Sequence, residues 1–265
     1  MRYATSIASV ARLDITAVIG GRSVSRGEVL EWEGRRAAIV FGKLGMGAPP
    51  DDPVAWRKAL VVRKLELGHA EIERRLGRQM AIAARSSQVM TALSRGRRRL
   101  CTVELRGEGG SAEAVPGFYR AAMDSGDEAP LLAASPDHWL LARRADGIQR
   151  VIETTGGSPL ASRILLDESE VGPVETPADP SFPVQWLAIG RARLGGPPSG
   201  ALRHQFRDEP GGGFTARLTI EFPGATPRRL VDAHRLHLAC EFSNWIEAAA
   251  ASQAQGPGMS GREGL

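Results

Sequence analysis

The chain has 265 residues, 42% apolar and 24% charged, with two cysteines and a net charge of +4. That balance suits one large globular domain or two small ones with a real core. No run of eighteen apolar residues offers a transmembrane helix, and the first residues lack the long apolar core of a secretory signal, so a cytoplasmic protein is expected. Residues 13 to 19 (LDITAVI) alternate like a strand, Gly20-Gly21 marks a turn, and Ser25-Arg26-Gly27-Glu28 has capping-box spacing for a helix start. From Glu28 to Phe41 two readings stay open: a helix, or a hairpin turning at Glu33-Gly34. Pro53, with Asp51 or Asp52 as cap, opens two basic helices over about 54 to 67 and 69 to 95. Between Val54 and Leu100 the formal charge is +9, which leaves −5 for the rest. This block, with Arg74, Arg75, Arg78, Arg97, Arg98 and Arg99 as candidate contacts, suits an acidic protein, nucleic acid or an anionic membrane surface, or is a solvated face.

The segment AVIGG, the SRGEV helix start and the Leu-rich helix ALVVRKLELGHAEIERRLG resemble the N-terminal region of periplasmic parvulin-type chaperones over about residues 13 to 80. That resemblance implies an assembly factor or chaperone, although no prolyl-isomerase segment follows. HAEIERRLG is also similar to the first half of a helix-turn-helix, but the twelve residues from Gly77 to Val89 are too many for its tight turn.

From Leu100 the pattern turns to strands. CTVELR is a strand, Pro116 to Met123 a short helix, and PLLAASPDHWLL passes from helix to strand at Pro136. HWLLARR and IQRVIETT flank Ala145-Asp146-Gly147, Gly156-Gly157-Ser158-Pro159 leads into ASRILLD, and a Pro-rich loop precedes VQWLAIGRARL, ALRHQFRD and FTARLTIEF. In the last of these, Phe214, Ala216, Leu218, Ile220 and Phe222 share the core face, while Thr215, Arg217 and Glu221 are expected to meet water. A helix from Arg228 to about Ala250 carries an apolar stripe of Val231, Leu238, Phe242, Trp245 and Ala249 beside a polar stripe of His234, His237 and Glu241.

The order of about six antiparallel strands and a long terminal helix, carried above all by FTARLTIEFPGATPRRLVDAHRLHLACEFSNWIEAA, resembles the START-like, helix-grip superfamily over about residues 100 to 250. The resemblance implies an α+β fold in which a curved antiparallel sheet grips the C-terminal helix around an apolar pocket. The organisation expected is a mainly helical basic module over 1–99, a helix-grip-like domain over 100–250 and a disordered tail over 251–265. His204 shares a face with Leu202 and Phe206, so His204, Phe206, His234, His237 and Glu241 are the pocket candidates. Three ligands from one straight helix converge poorly on an ion, and Cys101 and Cys240 lack partners at ligand spacing, so no metal and no cofactor is expected. The chain carries no nucleophile elbow, P-loop, H-E-x-x-H or dinucleotide fingerprint. The reading that results is a binder of a small apolar or amphipathic molecule with a basic module for partner docking. Its alternatives are a cyclase, hydratase or lyase on the same fold, and an assembly factor without a ligand.

Overall fold

A computed structural model describes residues 13–255 except 157 and 171. The expected disorder of the tail therefore lies, from residue 256 onward, outside the described residues. Among the described residues nine antiparallel strands form one sheet in the order β2-β1-β3-β9-β8-β7-β6-β5-β4, with β1 Ile15–Ile19, β2 Arg22–Ser25, β3 Arg98–Gly107, β4 His138–Arg143, β5 Gln149–Glu153, β6 Ser162–Asp167, β7 Val184–Arg191, β8 Gly200–Asp208 and β9 Phe214–Pro223. The helices are α1 Arg26–Lys43, α2 Pro53–Ser94, α3 Ala114–Ser125, α4 Glu128–Ala133 and α5 Arg228–Gln255.

Local chemistry explains where the elements begin. Gly20 and Gly21 both take positive φ, 58° and 83°, as a two-residue hairpin turn requires, and so join β1 to β2. Ser25 accepts from the backbone N–H of Glu28 while Glu28 accepts from that of Ser25, and this capping box starts α1. The hairpin alternative for residues 28 to 41 is thereby settled in favour of helix. Asp52 caps α2, and Pro53 occupies its first position. Gly68, at φ 66° and ψ 170°, breaks α2 into the two helical stretches expected at that residue. No turn falls between Gly77 and Val89, so a helix-turn-helix is absent from this segment.

The main core lies between the concave face of the sheet and α5. Cys101, Val103 and Leu105 of β3, Ala216 and Leu218 of β9 and Leu238 and Ala239 of α5 are fully buried in it. All five residues of the expected apolar stripe of α5 are buried, and so are His234, His237 and Glu241 beside it. A helix buried all round its middle is one that is gripped, here by the sheet on one side and by α1, α3 and α4 on the other. The arrangement is an α+β helix grip.

Two expectations need correction. The sheet does not begin at residue 100: β1 and β2 extend it beyond β3, and Ile15, Ala17, Val24, Val29 and Trp32 belong to the same core as α5. The boundary drawn between 99 and 100 thus falls inside β3. Thr215 and Glu221 do not meet water either, being 3% and 0% exposed. The Pro-rich loop lies across the outer face of β8 and β9, where Glu221 accepts from the Thr176 N–H and hydroxyl and Arg217 pairs with Asp179. Simple alternation fails where a loop supplies a second cover.

A second core covers the outer face at the other end of the sheet. Trp139, Leu140 and Ile152 pack there with Ala37, Val40 and Phe41 of α1 and with Trp56, Leu60, Ile72 and Leu76 of α2. Beside it Lys64 is fully buried, donating to the carbonyl of Pro136 at 2.8 Å. Burial pushes this ammonium down to about 7, against the pull of Asp137. Between about pH 7 and the ordinary value of 10.5 the folded chain has therefore shed a proton that the unfolded chain keeps. Stability contributed by this group should rise with pH across that window by up to about 1.4 kcal/mol per unit. Denaturant titrations from pH 7 to pH 10 should show the rise in the parent relative to Lys64→Met, with the buried thiols common to both proteins.

Candidate functional site

The β4–β5 hairpin turns at Ala145-Asp146-Gly147, with Gly147 at φ 83°. Counting back from the turn, Arg143 faces Gln149, Leu141 faces Val151 and Leu140 faces Ile152. Regular register would next set Trp139 opposite Glu153. Instead a β-bulge between His138 and Leu140 places His138 opposite Glu153. Trp139 and Leu140 stay together on the outer core, while His138 swings to the concave face with Leu141, Val151 and Glu153.

Across from that hairpin, His237 and Glu241 lie one turn apart on α5. Nε2 of His138 is 2.9 Å from Glu241 Oε2, and its Nδ1 is 2.9 Å from the carbonyl of Leu131. Nε2 of His237 stands 3.5 Å from Glu241 and 3.6 Å from Glu153. Burial works against charge on both carboxyls, but His237 beside both and His138 beside Glu241 more than offset it and hold both below their usual range. For His237, burial opposes the imidazolium and the two carboxylates outweigh that, raising it well above its ordinary value. His234 stacks on His237 at 5.0 Å, and burial pushes it down to about 4. Gly156 sits so close to His234 that a Cβ would come within 2.3 Å of its backbone, so only glycine lets the β5–β6 connection lie against α5.

Above this polar floor opens a cavity of about 480 Å³. Tyr119, Leu141, Val151, Trp186, Leu202, Phe242 and Trp245 give it largely apolar walls, and Ala83, Ser87 and Met90 of α2 stand at its mouth. His204 lies in the wall against Phe242 and Trp186, takes the backbone N–H of Thr219 on Nδ1, and is pushed by burial down to about 4. It is thus a neutral hydrogen-bonding group at physiological pH. Behind the wall, the Tyr119 hydroxyl donates to Gln149, while Gln149 and Trp186 both donate to Glu168.

Of the residues singled out from the sequence, His204 and Glu241 line the cavity, His237 lies just behind its floor, and His234 lies behind His237. Phe206 is fully buried against Phe242 and does not reach the cavity. His138 escapes a reading by alternation because of the bulge, and Glu153, which alternation alone leaves open to a pairing with Arg163, faces His237 instead. The basic candidates are dispersed. Arg74 and Arg75 share Glu71, Arg97 and Arg99 lean on the carbonyls of Ser94 and Gly224, and among the described residues Arg78 forms no ion pair. Arg98 is half-buried, with its backbone N–H on Glu175. Within the same block Arg57 is paired with Glu33 and Lys64 is buried, so much of the +9 is already answered.

No protein-family model matches the chain, and no curated protein matches it either. Among solved structures, the crystal structure of Ara h 8.0201 is similar, at 13% identity, covering 58% of this chain and 99% of that one with a TM-score of 0.35. The resemblance of residues 13 to 80 to parvulin-type chaperones finds no support, and those residues help to build the same sheet and cores as the rest of the chain. No helix among the described residues is long and apolar enough to cross a membrane.

Proposed function

We propose that the protein binds a small apolar or amphipathic molecule in the cavity between the sheet and α5. The supporting observation is the cavity itself, apolar on its walls and polar on a floor where His138, Glu153 and Glu241 converge. An elongated molecule with one oxygen-bearing end matches that division: its body lies against Trp186, Leu202 and Trp245, and its polar end meets the floor. Binding of a fluorescent fatty-acid analogue by the folded chain tests the reading. Leu202→Trp, which fills the cavity from β8, should weaken binding by about tenfold or more, equivalent to about 1.4 kcal/mol. A folded parent protein that takes up no such probe removes the ligand, and the assembly-factor reading then takes its place.

A second reading, catalysis on the bound molecule, draws on the same floor, because imidazoles beside carboxylates are equipped to move protons. Turnover lost in His204→Ala or His138→Ala with binding retained distinguishes an enzyme from a carrier. Docking through the basic block belongs to the first reading. Affinity of the full chain for anionic vesicles should fall steeply with salt, and replacing Arg97, Arg98 and Arg99 together by Gln should flatten that dependence.

A further inference from the structure

We propose that His138, Glu153, His237 and Glu241 form a binding site for a divalent first-row transition ion of the zinc type. All four are buried, and one donor atom from each lies within 4.8 Å of the others. Two come from one helix and two from a bulged hairpin, so they approach a common point from opposite sides, which three residues on α5 alone do not. Donors about 2.0–2.2 Å from a tetrahedral ion stand about 3.4 Å apart. The His237–Glu241 and His237–Glu153 separations of 3.5 and 3.6 Å already match that edge.

Two observations beyond the clustering point to an ion. His237 is 0% exposed, and among the described residues neither ring nitrogen has a hydrogen-bond partner, although Nε2 faces two carboxylate oxygens. A buried imidazole left so is unusual, whereas a metal displaces the Nε2 proton and bonds that nitrogen directly. His138 is oriented as a ligand is: the Leu131 carbonyl only accepts, which puts a proton on Nδ1 and leaves Nε2, aimed at Glu241, as the nitrogen that would exchange its proton for an ion. Two carboxylates and two neutral imidazoles balance one divalent charge, and two nitrogen and two oxygen donors suit zinc better than magnesium or calcium. Because His138, Glu153 and Glu241 also line the cavity, the ion would offer a Lewis-acidic contact at its polar end.

This inference does not depend on the ligand reading. The full chain, stripped with a chelator, is titrated with zinc and with cobalt(II) and followed by native mass spectrometry and visible absorption. Uptake of about one ion per chain is expected, with the strong cobalt bands of a four-coordinate site and a metal-dependent rise in Tm. Glu153→Gln keeps the shape and removes the charge; it and His237→Ala should each lose more than the roughly ten- to hundredfold affinity that goes with an outer-shell partner. Far-ultraviolet circular dichroism confirms that each variant is folded. A folded parent that takes up neither ion, or unchanged affinity in both variants, overturns the site and leaves an imidazolium–carboxylate network held by protons alone. Probe binding measured on the stripped chain in parallel lets the cavity and the metal site fail separately.

Discussion

Replacing Glu33 by alanine is expected to destabilise the protein by about 3–5 kcal/mol, because it strands a buried guanidinium. Glu33 is 0% exposed and accepts two hydrogen bonds from Arg57, at 2.8 and 2.6 Å, and one from Asn244 of α5 at 3.0 Å. Arg57, 12% exposed at its side chain, then keeps its charge with neither water nor partner at hand. The same interface holds a second buried pair, Arg26 with Glu247, and Arg26 also reaches Asn244, so α1, α2 and α5 meet in one ionic layer. Chemical denaturation of parent and Glu33→Ala measures the difference. A change under about 1 kcal/mol, the size found for exposed pairs, would show that water reaches Arg57.

The second large effect is expected at Trp245. The indole is 3% exposed and stands edge-on to both Tyr119 and Phe242, each at 5.1 Å. Trp245→Ala removes an anchor of α5 and enlarges the cavity at once, at a cost of about 3–5 kcal/mol. Thermal unfolding and probe binding should both respond. A variant with parent stability would mean that the indole serves the cavity without holding the helix.

Much of this architecture is legible in the residues. The alternation of FTARLTIEF, the capping box at Ser25, the break at Gly68 and the stripe from Val231 to Ala249 each follow from a local rule that the surroundings do not override. Legibility ends where two parts of the chain meet. That Glu221 is buried depends on a loop forty-five residues earlier folding across β9. That His234, His237 and Glu241 are buried depends on α1, α3 and α4 closing the open side of α5, and nothing within α5 distinguishes a gripped polar stripe from a wet one. The floor of the site was half visible, since the i, i+4 spacing of His237 and Glu241 can be counted on the helix. His138 could not be found by counting, because the extra residue at Trp139 reverses the parity on which the count relies, whereas Glu153 keeps parity with Val151 and is hidden because neighbouring residues of β5 are buried on both faces.

The two covers on β4 and β5 set an order in which the molecule opens. A backbone amide sealed from both sides exchanges its hydrogen only after one seal lifts. In β4 and β5 the inner cover is α3 and α4 beside the cavity, and the outer one is the α1–α2 layer around Trp139 and Ile152. Deuterium uptake there should therefore follow the detachment of α1 and α2, whereas uptake at Val103 and Leu218, deep in the β3–β9 ladder, waits for α5 itself to leave. Two isotope clocks in one sheet would time the release of its two helical layers separately.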